Sequence, residues 1–151
     1  RGNDFTREVE KKSKKQNIKV IVISAAIESQ IAQLDKKSEK IELLNDFKLK
    51  ETSLIRFIKY GYNLLNLITF FTSGPKETRA WTVKKNTKAP DAANNIHTDF
   101  KKGFIRAETI SYHDYINYGS EALCKEKGKM KQEGKEYIVR DGDIINFLFN
   151  V

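Results

Sequence analysis

The sequence predicts an α+β chain in two parts: a β-grasp (ubiquitin-like) domain over residues 66–151, and before it, over 1–65, a strand-and-helices remnant of an α/β domain. Two observations carry this. The first is "NIKVIVISA" at 17–25, a continuous Val/Ile-rich run without alternation, which is how a strand buried on both faces of a parallel sheet reads. Only helical patterns follow it up to residue 66, so its sheet is expected to lie upstream of residue 1. The second is a change of texture at residue 67, where short β-like runs surround one helical pattern in the order β-β-α-β-(short helix)-β-β. Such an order makes a compact sheet with one helix packed across it.

Residues 5–15 read as a charged helix end, and residues 19–24 as the lone strand. In "ESQIAQLDKKSEKIELLNDF" the apolar Ile31, Leu34, Ile41, Leu44 and Phe47 keep helical spacing over one or two helices. In "ETSLIRFIKYGYNLL" a stripe of Leu54, Ile58, Tyr62 and Leu65 stands behind a Thr52/Ser53 cap. "LITFFT" (67–72) and "TRAWTVKK" (78–85) flank a turn of Ser73, Gly74, Pro75 and Lys76, which predicts a hairpin. Ala89, Ala93, Ile96 and Phe100 predict one helix, with Thr87 as its cap, Pro90 in its first turn and Gly103 as its stop. "FIRAETI" (104–110), "EYIV" and "IINFLFNV" supply the remaining strands, the last two around a turn of Arg140, Asp141, Gly142 and Asp143.

The 151 residues, 39% hydrophobic and 32% charged, describe a globular protein with one domain or one plus part of another. No apolar run approaches a membrane span and no signal peptide is visible, so a cytoplasmic protein with no membrane partner is expected. The absence of an initiator Met suggests a partial chain. Net charge is +8. Residues 76–106 hold 8 basic and 3 acidic side chains, whereas 107–151 hold 6 and 8. The positive field is therefore local, and it favours polyanion partners, of which nucleic acid is the commonest.

No catalytic or metal-binding constellation emerges from the motifs. There is no G-x-x-x-x-G-K-[ST], so the Gly74 turn is not a phosphate loop. The two histidines, His97 and His113, lie at no metal-ligand spacing, and His97 reads as a surface or capping residue. The single cysteine, Cys124, has no disulfide partner and no adjacent base. Asp141 and Asp143 bracket a glycine turn that favours Asp for backbone reasons. On β alternation Trp81 and Val83 face the core under the helix. Arg79, Lys84, Lys85, Lys88, Lys101, Lys102 and Arg106 then remain as a candidate set of phosphate contacts to a nucleic acid, expected to converge on one edge of the domain.

Two long stretches, "LITFFTSGPKETRAWTVKKNTKAPDAANNIHTDFKKGFIRAETISYHDY" and "EGKEYIVRDGDIINFLFNV", closely resemble the C-terminal TGS domain of the YchF/Obg-like ATPase family. The resemblance covers 66–151. It departs mainly at "NTKAPDAANN", where the family usually has glycines after the lysines and after the alanines. "VIVISAAIESQIAQL" resembles the last nucleotide-contacting loop of the family's P-loop domain, which would place the backbone amides of Ser24, Ala25 and Ala26 near a base. The resemblance implies a parent that hydrolyses ATP, and GTP less readily, with Mg²⁺, and that associates with ribosomes. Its phosphate loop would lie upstream, so the chain alone is expected to hold no cofactor and to show no turnover. Two roles are open for the TGS module. It either binds RNA or the ribosome and regulates the nucleotide site, or it packs on its own P-loop domain or docks a protein through a free sheet edge.

Overall fold

A computed structural model describes residues 2–74 and 77–150. The chain divides into two compact units, Arg1–Asn63 and Leu64–Val151.

In the first unit, α1 (Asp4–Lys15) begins where Asn3 Oδ1 accepts a hydrogen bond from Thr6 N, and its last turn is basic. That arrangement sets positive side chains against the negative end of the helix dipole. The predicted strand at 19–24 does not form; these residues are neither strand nor helix. A strand exists only through a neighbour's hydrogen bonds, and no described residue pairs with this one. α2 (Ala25–Ala32) is capped by Ser24, and α3 (Lys37–Asp46) follows, so the long helical pattern resolves into two helices. α4 (Ser53–Leu64) is capped by Thr52 Oγ1, which accepts from Ile55 N at 3.3 Å. The Glu28 carboxylate on α2 accepts from Ser53 N at 2.7 Å and ties α2 to the start of α4. The predicted apolar stripe of α4 is exposed at Leu54, Ile58 and Leu65, where a packed face was expected.

In the second unit, five strands form one mixed sheet in the order β2-β1-β5-β3-β4. β1 (Leu67–Ser73) and β2 (Thr78–Lys84) are the predicted hairpin, in register from Leu67↔Lys84 to Ser73↔Thr78. Gly74 N donates to Glu77 O at its tip, while Pro75 and Lys76 of the predicted turn lie outside the described residues. β1 runs parallel to β5 (Asp143–Phe149) at the centre, and β3 (Phe104–Ser111) is antiparallel to β5. The fourth strand differs from expectation. "EYIV" makes only an isolated bridge, Lys88↔Ile138, and the strand is instead β4 (Lys131–Glu133), inside the Lys/Glu-rich segment. An exposed three-residue edge strand has no apolar face to announce it.

The helix predicted across the sheet is two helices, α5 (Ala89–Asn94) and α6 (Thr98–Lys102). At the break His97 is extended, and its Nδ1 accepts from Asp99 N to cap α6. Ala89, Ala92 and Ala93 are fully buried, which lets α5 approach the sheet closely. Thr87 does not cap α5. Its hydroxyl donates to Lys84 O, and Lys88 takes the N-cap position. α7 (Tyr112–Tyr118) and α8 (Glu121–Glu126) follow β3. Cys124 on α8 is fully buried, and burial pushes its thiol pKa up.

The turn before β5 joins the two parallel central strands. Gly142 has φ +82°, Gly142 N donates to Thr69 O, and Thr69 N donates to Asp141 Oδ1, both at 2.8 Å. Trp81 is half-buried instead of fully core. Its indole N–H donates to Thr72 Oγ1 at 3.0 Å, and the Arg79 guanidinium lies 4.8 Å from its ring centroid.

Candidate nucleic-acid interface

The sheet register separates the predicted basic set. Lys84 stands opposite Leu67 at one end of β1; four residues along, Phe71 stands opposite Ile144 of β5; four further, Leu148 stands opposite Arg106. At about 3.3 Å per residue, Lys84 and Arg106 lie about 26 Å apart along the strand direction. Lys101 and Lys102 belong with Arg106, because Gly103 O accepts from Asn150 N, just beyond β5, at 2.9 Å. The expected convergence on one edge does not occur. Lys84, Lys85 and Lys88 occupy one end of the sheet, and Lys101, Lys102 and Arg106 the other. Arg79 lies between them on β2, opposite Thr72.

Charge is compensated differently at the two ends. Lys101 pairs with Asp91 at 2.7 Å, Lys102 with Asp99 at 3.7 Å and Arg106 with Glu108 at 3.9 Å. Lys88 pairs with Glu136 at 2.6 Å, and the hydrogen bond from Lys88 to that carboxylate holds the ammonium pKa above its ordinary value. Lys84 and Lys85 are exposed and have no ion pair among the described residues. Their backbone is fixed nevertheless. Lys85 N donates to Asn66 O at 2.7 Å, and Lys84 O accepts from the Thr87 hydroxyl at 2.7 Å. Opposite strand residues share a face, so Lys84 projects on the side of Leu67, away from the buried Ile68 and Val83.

Sequence reasoning passed over Arg140, which is exposed and belongs to the same end. It immediately precedes the turn whose Gly142 binds Thr69, two residues along β1 from Leu67. Only topology brings it there, because β1 and β5 are parallel neighbours separated by most of the domain's sequence.

The free edge at β2 is partly closed. Since Lys85 N points to β1, the main-chain groups of Thr78, Ala80, Thr82 and Lys84 face outward. The Thr82 carbonyl accepts from the Asn95 side chain and the Lys84 carbonyl from Thr87, which blunts that half against an added strand.

Ser24, Ala25 and Ala26 are exposed around the start of α2. Ser24 Oγ accepts from Ile27 N at 3.4 Å, and Ala25 and Ala26, in the first turn, have no intrahelical acceptor for their amides. Among the described residues no three His, Cys, Asp or Glu side chains form a group able to hold a metal, and no helix is long and apolar enough to cross a membrane.

Residues 67–150 match the family model described as YchF-GTPase_C, protein of unknown function (DUF933). The chain belongs to the YchF family. The resemblance read from its motifs is thereby borne out. The proteins named Ribosome-binding ATPase YchF of Escherichia coli O157:H7 and Bacillus subtilis are 51% and 48% identical to it over 150 residues, 99% of this chain and 41% of each relative. The chain thus spans about two-fifths of the length of these curated YchF relatives. The Schizosaccharomyces pombe YchF GTPase structure superposes with a TM-score of 0.82 at 36% identity, covering 97% of this chain and 39% of that one. A GTP binding protein from Pyrococcus horikoshii shares the fold, with a TM-score of 0.66 at 20% identity, covering 99% of this chain and 43% of that one.

Proposed function

We propose that the chain is the C-terminal part of a ribosome-associated YchF protein that hydrolyses ATP or GTP with Mg²⁺ in the cytoplasm. In this reading residues 1–65 close a P-loop nucleotide domain, and 66–151 are a TGS module that binds RNA on the ribosome and regulates the nucleotide site. The sheet order with parallel central strands is what a β-grasp domain requires, and it supports the TGS assignment. The first-turn amides of Ala25 and Ala26, which have no intrahelical acceptor, suit backbone contacts to a nucleotide base, while the phosphates and Mg²⁺ would be held by residues outside this chain.

One observation carries the RNA reading: among the described residues, Lys84 and Lys85 are the members of the basic set at their end of the sheet left without an ion pair. A paired lysine must break its own contact before binding a phosphate, whereas an unpaired one releases only counterions. Lys84 and Lys85 therefore lead the contact, with Arg140 at the same end. Arg79 contributes less because it already stacks on Trp81, and Lys88, Lys101, Lys102 and Arg106 contribute least.

A salt titration of RNA binding tests this. The double change Lys84→Glu and Lys85→Glu is expected to flatten the slope of log K against log salt by about 1–2, the loss of about two phosphate contacts. Lys101→Glu with Lys102→Glu should leave the slope near that of the parent chain. Equal slopes for the first pair and the parent would refute the assignment.

A further inference from the structure

The first unit holds a cavity of about 450 Å³ lined by Lys48, Leu49, Lys50, Glu51, Arg56, Lys59, Tyr60 and Asn63. Arg56, Lys59, Tyr60 and Asn63 follow the i, i+3, i+4, i+7 spacing of one helical face, so α4 presents all four on one side. The loop from Lys48 to Glu51 forms the other wall. That loop is held by its own backbone: Lys48 N donates to Asn45 O and Leu49 N to Leu44 O, both at 2.8 Å, with Lys48 at φ +54°.

Four of the lining residues are cations and one is an acid, Glu51, whose carboxylate accepts from the Lys59 ammonium. The cavity keeps a surplus of three positive charges, and Lys48, Lys50 and Arg56 have no ion pair among the described residues. A fifth cation, Lys19, lies 5.3 Å from the Tyr60 ring centroid. Like charges gathered in a concave site raise the local potential and draw in anions. The guanidinium of Arg56 suits bidentate binding of phosphate oxygens, and the lysines act as point charges beside it. Tyr60 and Leu49 add an apolar wall, and the Asn63 amide offers both a donor and an acceptor. A volume of this size, within the range of about 300–1,000 Å³ usual for small-ligand sites, holds more than a single phosphate group.

We propose that this cavity binds a phosphate ester bearing a flat base, with the phosphates on Lys48, Lys50 and Arg56 and the base against Tyr60. The site lies outside the Lys84/Lys85 end of the sheet and outside the Ser24 loop, and it does not depend on the function proposed for either. Such a ligand comes from two sources, a free nucleoside polyphosphate or the terminal nucleotide of a single-stranded RNA.

Calorimetric titration of the 151-residue chain with ATP, with a short single-stranded RNA and with inorganic pyrophosphate separates them. At a low salt of about 50 mM, ATP or the RNA is expected to bind more tightly than pyrophosphate, with affinity falling as salt rises. Lys48→Asn combined with Arg56→Gln should weaken that binding about tenfold or more. Asn tolerates the left-handed backbone at position 48, so Lys48→Asn removes charge without strain, and an unchanged circular-dichroism melt confirms the fold. The RNA titrations use the chain carrying Lys84→Glu and Lys85→Glu, so that the contact proposed for that end of the sheet adds nothing to the signal. Preference for ATP assigns a free nucleotide, and preference for RNA assigns a strand terminus. The proposal is overturned if neither ligand binds, if binding survives loss of both cations, or if pyrophosphate binds as tightly as ATP.

Discussion

Phe70→Ala is expected to lower the stability of the Leu64–Val151 unit by about 3–5 kcal/mol, the usual cost of removing a fully buried aromatic side chain. Phe70 has no exposed surface. It lies on β1 opposite Trp81, with its ring edge-on to Phe147 of β5 at 5.9 Å. Its loss removes both the transfer of a large ring from water and the contacts of the two strands that the ring joins. Closing the cavity would require moving β5, but Asp141 and Gly142 fasten the start of that strand to Thr69. A small domain is stable by about 5–15 kcal/mol, so the variant should retain a fold with a much lower urea midpoint. Trp81 is the only tryptophan in the chain, and its fluorescence reports this unit directly. A loss below about 1.5 kcal/mol would mean that the core relaxes around the gap and that the sheet is less tightly fastened than its geometry implies.

The same core explains why most strands were legible in the sequence. β1, β2, β3 and β5 each put buried side chains into the one core cluster that also holds the alanines of α5, and in β1 burial of one face writes alternation into the residues: Ile68 and Phe70 in, Thr69 and Phe71 less so. β4 is exposed and polar and left no such mark. At 19–24 the reverse occurred, because the Val/Ile run predicted a strand and no described residue pairs with it. The break between α5 and α6 was invisible for another reason: Ala89, Ala93, Ile96 and Phe100 keep one helical stripe through it, while the interruption rests on the backbone and cap at His97.

The candidate interface was legible in composition and not in geometry. The basic excess of 76–106 can be counted, but its neutralisation depends on tertiary contacts. Lys88 meets Glu136 across 48 residues, and Lys101 meets Asp91 from the other helix. Only the folded chain distinguishes those lysines from Lys84 and Lys85. The cavity on α4 left a clearer trace. Arg56, Lys59, Tyr60 and Asn63 repeat at helical spacing on the polar side of a helix whose apolar stripe was the feature read, and the "KLK" of the facing loop reaches them only through the turn at Lys48.

Asp143→Ala is expected to cost about 2–4 kcal/mol, because it strands two donors at once. Asp143 is buried, and its Oδ2 accepts from the Tyr137 hydroxyl at 2.7 Å and from Arg140 N at 2.8 Å. Without the carboxylate, the turn that starts β5 keeps its glycine geometry and loses the bonds that hold residues 137–140 against it. The neighbouring backbone then loosens as well, since Tyr137 O accepts from Ala89 N and Val139 N donates to Thr87 O. Tyr137→Phe should cost less, about 1.5–3 kcal/mol, as it removes one hydrogen bond to a charged group and leaves the ring in place. The phenol also sets an alkaline limit. Burial, and then the hydrogen bond to Asp143, push its pKa well above the ordinary tyrosine value. A group whose folded pKa is raised contributes stability that is complete below its unfolded value, about 10, and is lost as pH climbs beyond it. Circular-dichroism melts from pH 8 to 11 should therefore show the parent chain losing stability above about pH 10 more steeply than Tyr137→Phe. Parallel curves for the two proteins would show that the phenol leaves its bond to Asp143 in the folded state, and a small loss for Asp143→Ala in the same series would show that water replaces the carboxylate there.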